Sequence, residues 1–393
     1  MKILHVHNHY GSNSPSGENN TVVAERQLLI SSGVKVINFD MFSDDYPVDS
    51  LQSKFSAAKN VVWSKSSKSR FNALLRADKP DIIHVHNTFP FISPSIFWAN
   101  VERIPIVMTV HNFRSICAKA IPLRNGNVCL SCIEKRSSYS AVRFGCYRNS
   151  RLATLPLAVS VDLHRKINTW SKISAHIFLT NFQRRLFEDN GLTVNRSFVK
   201  PNPNPFLGTR NLLISQREGV CFIGRLSEEK GIEELISAWN IMGENAPILT
   251  IAGDGPLKSK LHNMSFENSR IKFIGHVSQS ITQNLLQSSR LCVIPSKWFE
   301  GYPLVLSDAI AAQTPVLLSN IGSLREVGQD LQLPMFDHHS ISDLISKVYG
   351  IYENFTQLNK MQDRMLNYYL QHLEPTRNTQ QLLSIYDRLL TND

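Results

Sequence analysis

Arg225 and Lys230 stand five residues apart in "FIGRLSEEKGIEELISAW" (222–239), between Gly224 and Gly231. The apolar run before Gly224 reads as a buried strand, and the amphipathic run after Gly231 reads as a helix. Two fixed cations beside a helix N-terminus suit a diphosphate, because the partial positive charge of the free amides adds to theirs. Each charge-assisted bond contributes roughly 1.5–3 kcal/mol. The bland reading is a surface Arg and Lys capping a strand-to-helix loop. Two carboxylates, Glu300 and Asp308, lie eight residues apart in "IPSKWFEGYPLVLSDAIAAQTPVLLS" (294–319). Carboxylates accept from vicinal hydroxyls, which sugars and ribose carry in pairs. Between the two acids, Gly301, Tyr302, Pro303 and Leu304 form a turn into a helix, with Pro303 suited to its first turn. The backbone amides of such a turn can meet phosphate oxygens. An exposed Glu and a helix-surface Asp are the alternative.

Imidazoles form a second constellation. "HVHNHYGSNSPSGE" (5–18) carries His5, His7 and His9, "DIIHVH" (81–86) ends in His84 and His86, and His111 follows "IPIVMTV" (104–110). Each group falls at or near the end of an apolar strand. In open parallel sheets that rim binds ligands. The clustered carboxylates of a catalytic metal site are missing, so the expectation is a polar pocket for hydroxyls and phosphate. Within it, His5 and His84 are candidates for purely structural roles.

Residues 111–150 form a long insertion with four of the six cysteines: Cys117, Cys129, Cys132 and Cys146. Four thiolates suit a structural zinc that staples a long loop, although one Cys-x2-Cys pair is fewer than a zinc finger shows. Small buried thiols are the alternative. Cys221 and Cys292 read as core. The insertion and its edge are basic, with Arg114, Lys119, Arg124, Lys135, Arg136, Arg143, Arg148 and Arg151, and carry Phe113, Tyr139, Phe144 and Tyr147. "NTFPFISPSIFWA" (87–99) adds aromatics that read as exposed. This face is expected to meet an anionic membrane and a lipid-linked saccharide acceptor.

These residues need a scaffold, and the chain supplies two. Strands are expected at 2–7, 34–40, 81–86, 104–110 and 175–180, with helical patterns such as 20–33 between them. "KPNPNPFLG" (200–208) interrupts the pattern, because prolines exclude helix and central strand. The alternation then restarts with strands at 220–224, 247–253, 271–275, 291–295 and 314–319. Strand and helix in alternation specify a parallel sheet covered by helices. The expected architecture is α/β, with two doubly wound Rossmann-like domains, 1–200 and 207–373, and an amphipathic helix over 374–393. The 393 residues carry 42% hydrophobic and 19% charged residues, ordinary for a globular protein. No apolar run approaches a membrane span and no export signal opens the chain, so a cytoplasmic location is expected. Residues 1–200 hold 26 Lys and Arg against 13 Asp and Glu, a net +13, and residues 201–393 hold 16 against 19, a net −3. The basic first half is expected to face something anionic: a membrane surface, a phosphorylated acceptor or nucleic acid.

"GRLSEEKG" followed by "EGYPLVLSDAIAAQTPV" resembles the donor-binding half of the GT-B glycosyltransferases, specifically retaining glycosyltransferase family 4. "IAGDGP" (251–256), "TVHNFRSIC" (109–117) and the Gly17–Glu18 loop extend the resemblance over most of the chain, toward members that build bacterial surface polysaccharides. It implies two domains facing a central cleft, with the C-terminal helix packing back on the N-terminal domain. Arg225 and Lys230 would bind the donor diphosphate, Glu300 hydroxyls of the transferred sugar and Asp308 the ribose. His111 would sit beside the donor sugar. Gly17, Gly224, Gly253 and the 301–304 turn would approach the donor. Glu18, His86, Asn112 and Arg114 would lie on the acceptor side. The implied reaction is retaining hexose transfer from a nucleotide sugar to a lipid-linked or growing glycan (capsule, O-antigen or exopolysaccharide), at the inner face of the cytoplasmic membrane. No cofactor is required for it. Three positions depart from the family pattern: Asp308 replaces Glu, Gln313 replaces Gly, and Ser16-Gly17 replaces a glycine pair. A nucleotide-sugar epimerase of the same architecture is the alternative enzyme. A catalytically silent scaffold is a further option. A nucleic-acid-binding role for the Cys-rich insertion is disfavoured, because no reading helix or RNA-binding aromatic signature is present.

Overall fold

The computed structural model describes residues 1–11, 17–46, 49–100, 103–192, 195–206 and 212–391. The chain divides into two compact units. The first comprises Met1–Pro122, Cys129–Pro203 and Pro375–Asp393, and the second Leu123–Val128 and Asn204–Glu374.

The first unit is built on a parallel sheet of β1 (Lys2–His9), β2 (Lys35–Phe42), β3 (Ile82–Asn87), β4 (Ile106–Val110), β7 (Ala175–Phe178) and β8 (Ser197–Val199), in spatial order β2-β1-β3-β4-β7-β8. The chain order reverses direction between β1 and β3. β1, β3 and β4 are almost wholly buried, as strands covered on both faces must be. Ile3, Ile82, Val107 and Ile177 from the strands meet Leu29 and, from the far end of the chain, Leu382, Ile385 and Leu389. The Pro375–Leu390 helix thus completes the core of this unit. The helix after β1 runs from Gly17 to Ser31, earlier than its apolar pattern suggests, because polar residues fill its first turn.

In the second unit, β9 (Val220–Ile223), β10 (Leu249–Ala252), β11 (Ile271–Gly275), β12 (Leu291–Ile294), β13 (Val316–Ser319) and β14 (Met335–Phe336) form a parallel sheet in the order β11-β10-β9-β12-β13-β14. β9 lies at the point where the winding reverses, flanked by β10 and β12. A small antiparallel pair, β5 (Leu123–Arg124) and β6 (Asn127–Val128), groups with this unit although the insertion around it belongs to the first. The two edge strands β8 and β14, three and two residues long, leave too little sequence for any periodicity to mark.

Candidate active site

The second unit gathers its predicted residues at the C-terminal ends of β9 and β12. Gly231 adopts a left-handed backbone with φ of 67°, and a Cβ there would overlap the Pro295 carbonyl oxygen. Gly253, with φ of 148°, lies as close to the Gly224 carbonyl. These approaches need glycine and bring the loops after β9, β10 and β12 together. Lys297 N–H donates to the Glu229 carbonyl at 2.9 Å and ties two of them directly.

On that platform Lys230 Nζ donates to Glu300 Oε1 at 2.6 Å, and Ser296 Oγ donates to the same oxygen at 2.8 Å. Glu300 is buried and Lys230 is half-buried. The Lys230 ammonium also lies 5.8 Å from the centre of the Trp298 ring. Arg225 is exposed, and its guanidinium has no partner among the described residues. The Leu304–Ala311 helix begins at Pro303, and its first amides have no partner within the helix. The site therefore offers one free guanidinium, one ammonium held by a carboxylate, helix amides, and a carboxylate with Oε2 left over. That set suits a diphosphate next to hydroxyl groups.

Asp308 lies on the same helix, with a half-buried side chain. Asn204 Nδ2 donates to its Oδ1 at 2.8 Å and to Ser307 Oγ at 3.1 Å. Burial raises the Asp308 carboxyl to about 6, and the Asn204 bond offsets part of that. Asn204 is itself held by Leu373 and Tyr369, whose carbonyl and hydroxyl bond to its backbone. Nothing in the sequence marked Asn204, since a linker asparagine carries no pattern. Gln313 takes the left-handed backbone, φ 52°, that a glycine supplies without strain. Its carbonyl accepts from the buried Arg217 and from Gln362.

In the first unit, His86, His111, Asn112 and Arg114 line one cavity, walled by Val61, Val110, Leu157 and Trp170. Arg114 is fixed by a bond to the Ala118 carbonyl at 3.0 Å and lies 3.7 Å over the Phe89 ring. Asn112 Nδ2 donates to Glu18 Oε2 at 3.2 Å. Burial raises the Glu18 carboxyl to about 8, against the pull of Asn112 and Arg114. Gly17 opens the helix that carries Glu18. Its loop partner Ser16 lies outside the described residues.

Behind that cavity is a buried network. His111 Nε2 and His86 Nδ1 are 2.9 Å apart, as are His86 Nε2 and His5 Nε2. Glu25 Oε1 lies 3.3, 3.4 and 3.5 Å from ring nitrogens of His86, His84 and His5. Lys200 Nζ is 3.6 Å from Glu25 Oε2 and donates to Asn378 Oδ1 at 2.7 Å. The Tyr386 hydroxyl and His84 Nδ1 are 2.6 Å apart. Burial lowers His84 to about 3 and His111 to about 4, so these rings are neutral near pH 7. Lys200 and its neighbours hold the Glu25 carboxyl well below its ordinary value, despite burial. Glu25, Lys200 and Tyr386 were not singled out from sequence. A signal existed: Val22, Glu25 and Leu29 share one buried helix stripe, and an acid on such a stripe needs partners.

Other expectations need correcting. His7 and His9 are not among the residues that line the cavity around His86 and His111. His7 Nε2 meets Asn19 at 3.0 Å and His9 lies 3.4 Å from Asp40, both buried. Among the described residues, His5, Glu25, His84 and His86 are the one set of three or more metal-type ligand atoms that converge, and the Lys200 ammonium already supplies a cation there. Cys117, Cys129, Cys132 and Cys146 do not converge in that way. Cys132 and Cys146 lie in an apolar cluster with Val61, Ala118 and Leu157, and burial pushes the Cys117 thiol up to about 12. Phe91, Phe97 and Phe113, read as surface aromatics, are core residues; Phe97 lies on the short helical turn Pro94–Trp98, which folds its apolar side inward.

Residues 29–189 match the model of Glycosyltransferase Family 4, and residues 209–368 match that of Glycosyl transferases group 1. The chain is 35% identical over 260 residues to an uncharacterized glycosyltransferase, MJ1607, of Methanocaldococcus jannaschii, a match that spans 65% of this chain and 61% of the relative. It is 26% identical over 270 residues to the "Putative teichuronic acid biosynthesis glycosyltransferase TuaC" of Bacillus subtilis, spanning 67% of this chain and 60% of the relative. The chain thus spans about 60% of the length of these curated relatives. Anabaena Alr3699/HepE, solved in complex with UDP and glucose, superposes with a TM-score of 0.62 at 15% identity, over 98% of this chain and 99% of that one. Architecture and both sequence models agree: this is a chain of the GT-B glycosyltransferase fold, with a Family 4 match in its first half and a group 1 match in its second.

Proposed function

We propose that the protein transfers a hexose, with retention of anomeric configuration, from a nucleoside-diphosphate sugar to a lipid-linked or growing surface glycan at the inner face of the cytoplasmic membrane. The observation that carries this reading is the pairing of Lys230 with Glu300, with Arg225 exposed in the same loop after β9, where the winding of the second sheet reverses. When the bond from the sugar's anomeric carbon to the diphosphate breaks, the electron pair goes to a diphosphate oxygen. Fixed cations beside that oxygen stabilise the transition state more than the ground state. Arg225 and Lys230 supply this charge, so the leaving group needs no further cation. Glu300 Oε2 accepts from hydroxyls of the departing sugar while Oε1 anchors Lys230. Asp308 accepts from ribose, and His111 attends the donor sugar. The acceptor hydroxyl attacks the face the nucleotide leaves, through an oxocarbenium-like state, and its proton passes to the departing diphosphate oxygen on that face. No side chain identifies itself as a covalent nucleophile. Support for the donor comes from the UDP and glucose bound by the Anabaena protein. Support for a surface glycan comes from the teichuronic acid relative.

The test is a screen of UDP-, GDP- and ADP-sugars for hydrolysis, followed by mass spectrometry of lipid-extracted products. The expected result is one nucleotide series consumed, with a saccharide added to lipid. Return of all label as free nucleotide sugar, without an acceptor, would point to an epimerase instead.

A further inference from the structure

Three imidazoles of the first unit form one hydrogen-bonded row that ends at the cavity. His111, which lines the cavity, meets His86 Nδ1 through its Nε2 at 2.9 Å, and His86 Nε2 meets His5 Nε2 at 2.9 Å. The row uses both nitrogens of His86 and leaves one nitrogen on each end ring, Nδ1 of His111 and Nδ1 of His5. His84 stands outside it, with its nitrogens on Tyr386 and Thr109. A neutral imidazole carries one N–H and one lone pair. Each bond of the row needs one of each, so the protons are ordered together. If His5 donates to His86, then His86 donates to His111, and His111 holds its proton on Nδ1. If the bonds run the other way, His111 Nδ1 is a bare lone pair.

The buried end of the row decides between the two. His5 Nδ1 is buried and has no hydrogen-bond partner among the described residues. Were His86 to donate to His5, that atom would be a buried N–H with nothing to accept it. With His5 as donor it is an unused lone pair, and a buried N–H without an acceptor is the rarer vacancy in folded chains. His7, on the same strand, follows that pattern: Asn19 Oδ1 accepts its Nε2 proton, and its buried Nδ1 has no partner among the described residues. The Glu25 carboxylate lies 3.5 Å from His5 Nε2 and 3.3 Å from His86 Nε2, so it favours a proton between them without choosing the ring that owns it. We infer that His5 is a positioning residue: by donating its Nε2 proton into the row it fixes the proton of His111 on Nδ1, so that His111 offers an N–H to a sugar oxygen entering the cavity. The inference deepens the proposed reaction and rests on it for the role of His111 beside the donor sugar.

The test is nitrogen-15 NMR of the full chain labelled at histidine, in which protonated and bare ring nitrogens resonate apart and each tautomer is read directly. Loss of signals in His111→Gln identifies those of His111. The parent should show His111 protonated at Nδ1 and bare at Nε2. Two variants of similar length are compared at position 5, with thermal melting to check that each is folded. His5→Met removes the donor. A proton on His86 Nε2 then has Glu25 Oε1, 3.3 Å away, as its acceptor, and the His111 proton should move to Nε2. His5→Gln keeps an amide N–H for His86 and should retain the parent form. On any donor that the parent consumes, His5→Met should lower kcat roughly tenfold, the worth of one hydrogen bond, with KM little changed, and His5→Gln should restore most of it. The proton positions are read without substrate, so a failure of the proposed reaction shows in turnover and a failure of this inference in the spectrum. A parent with His111 protonated at Nε2, or a folded His5→Met variant whose His111 keeps its proton on Nδ1, overturns the inference. So does an unchanged kcat in a variant whose His111 proton has moved.

Discussion

Lys230 and Arg225, both expected to meet a diphosphate, arrive there differently prepared. The Lys230 ammonium is already fixed by Glu300 at 2.6 Å, and Arg225 is exposed, with no partner among the described residues. Glu300→Gln should therefore weaken sugar contact and also loosen Lys230, lowering kcat more than it raises KM. Initial-rate kinetics on any consumed donor will check that split. Asp308 belongs at this scale too. With its carboxyl raised to about 6 from an ordinary 3.8, it gains a proton as pH falls through 6 and no longer accepts from two hydroxyls. Nucleotide affinity should fall over that range, and Asp308→Asn should flatten the dependence in calorimetric titrations at pH 5 and pH 8. The sign reverses for stability at Glu18. Its folded carboxyl keeps a proton up to about 8, whereas the unfolded one loses it near 4.5. Stability contributed by this group therefore declines as pH rises between those values, and Glu18→Gln should remove that slope from melting curves. Arg225, Lys230 and Glu300 were legible in sequence because glycines and a strand-to-helix change mark their loops. Asn204, Glu25 and Lys200 were not, because Asn204 meets Asp308 104 residues on, Glu25 meets His84 59 residues on, and Lys200 meets Asn378 178 residues on.

At the scale of elements, glycine decides how closely the loops can approach. Gly231→Ala would force a left-handed backbone on a residue with a Cβ, costing about 1–3 kcal/mol before the overlap with Pro295 is counted. A lower melting temperature of the second unit and weaker nucleotide binding are expected together. Most long strands could be read directly, because residues buried on both faces form apolar runs. The histidine strands left orientation open. His7 and His9 turn inward to Asn19 and Asp40, and alternation cannot show which face of a fully buried strand looks toward a ligand. The segment 87–99 misled, since aromatics between prolines look like a loop surface and fold as core.

For the molecule as a whole, the returning C-terminal helix matters most to the first unit. Tyr386 bonds His84, Asn378 bonds Lys200, and Ile385 enters the sheet core. Glu25→Ala leaves Lys200 as an uncompensated buried charge, a loss of about 3–5 kcal/mol, read as a fall in the melting of this unit. The division of charge, net +13 before residue 201 and −3 after, fits the proposal that the second half binds a nucleotide while the first faces an acceptor on an anionic surface. The claim beneath all of this is that two cations of the second unit absorb the charge released when a sugar leaves its nucleotide. The direct measurement is turnover of the consumed sugar nucleotide by Arg225→Ala/Lys230→Ala beside the parent at saturating donor. A fall of at least about 10²–10³ with an intact melting curve is predicted, and equal turnover would contradict the account.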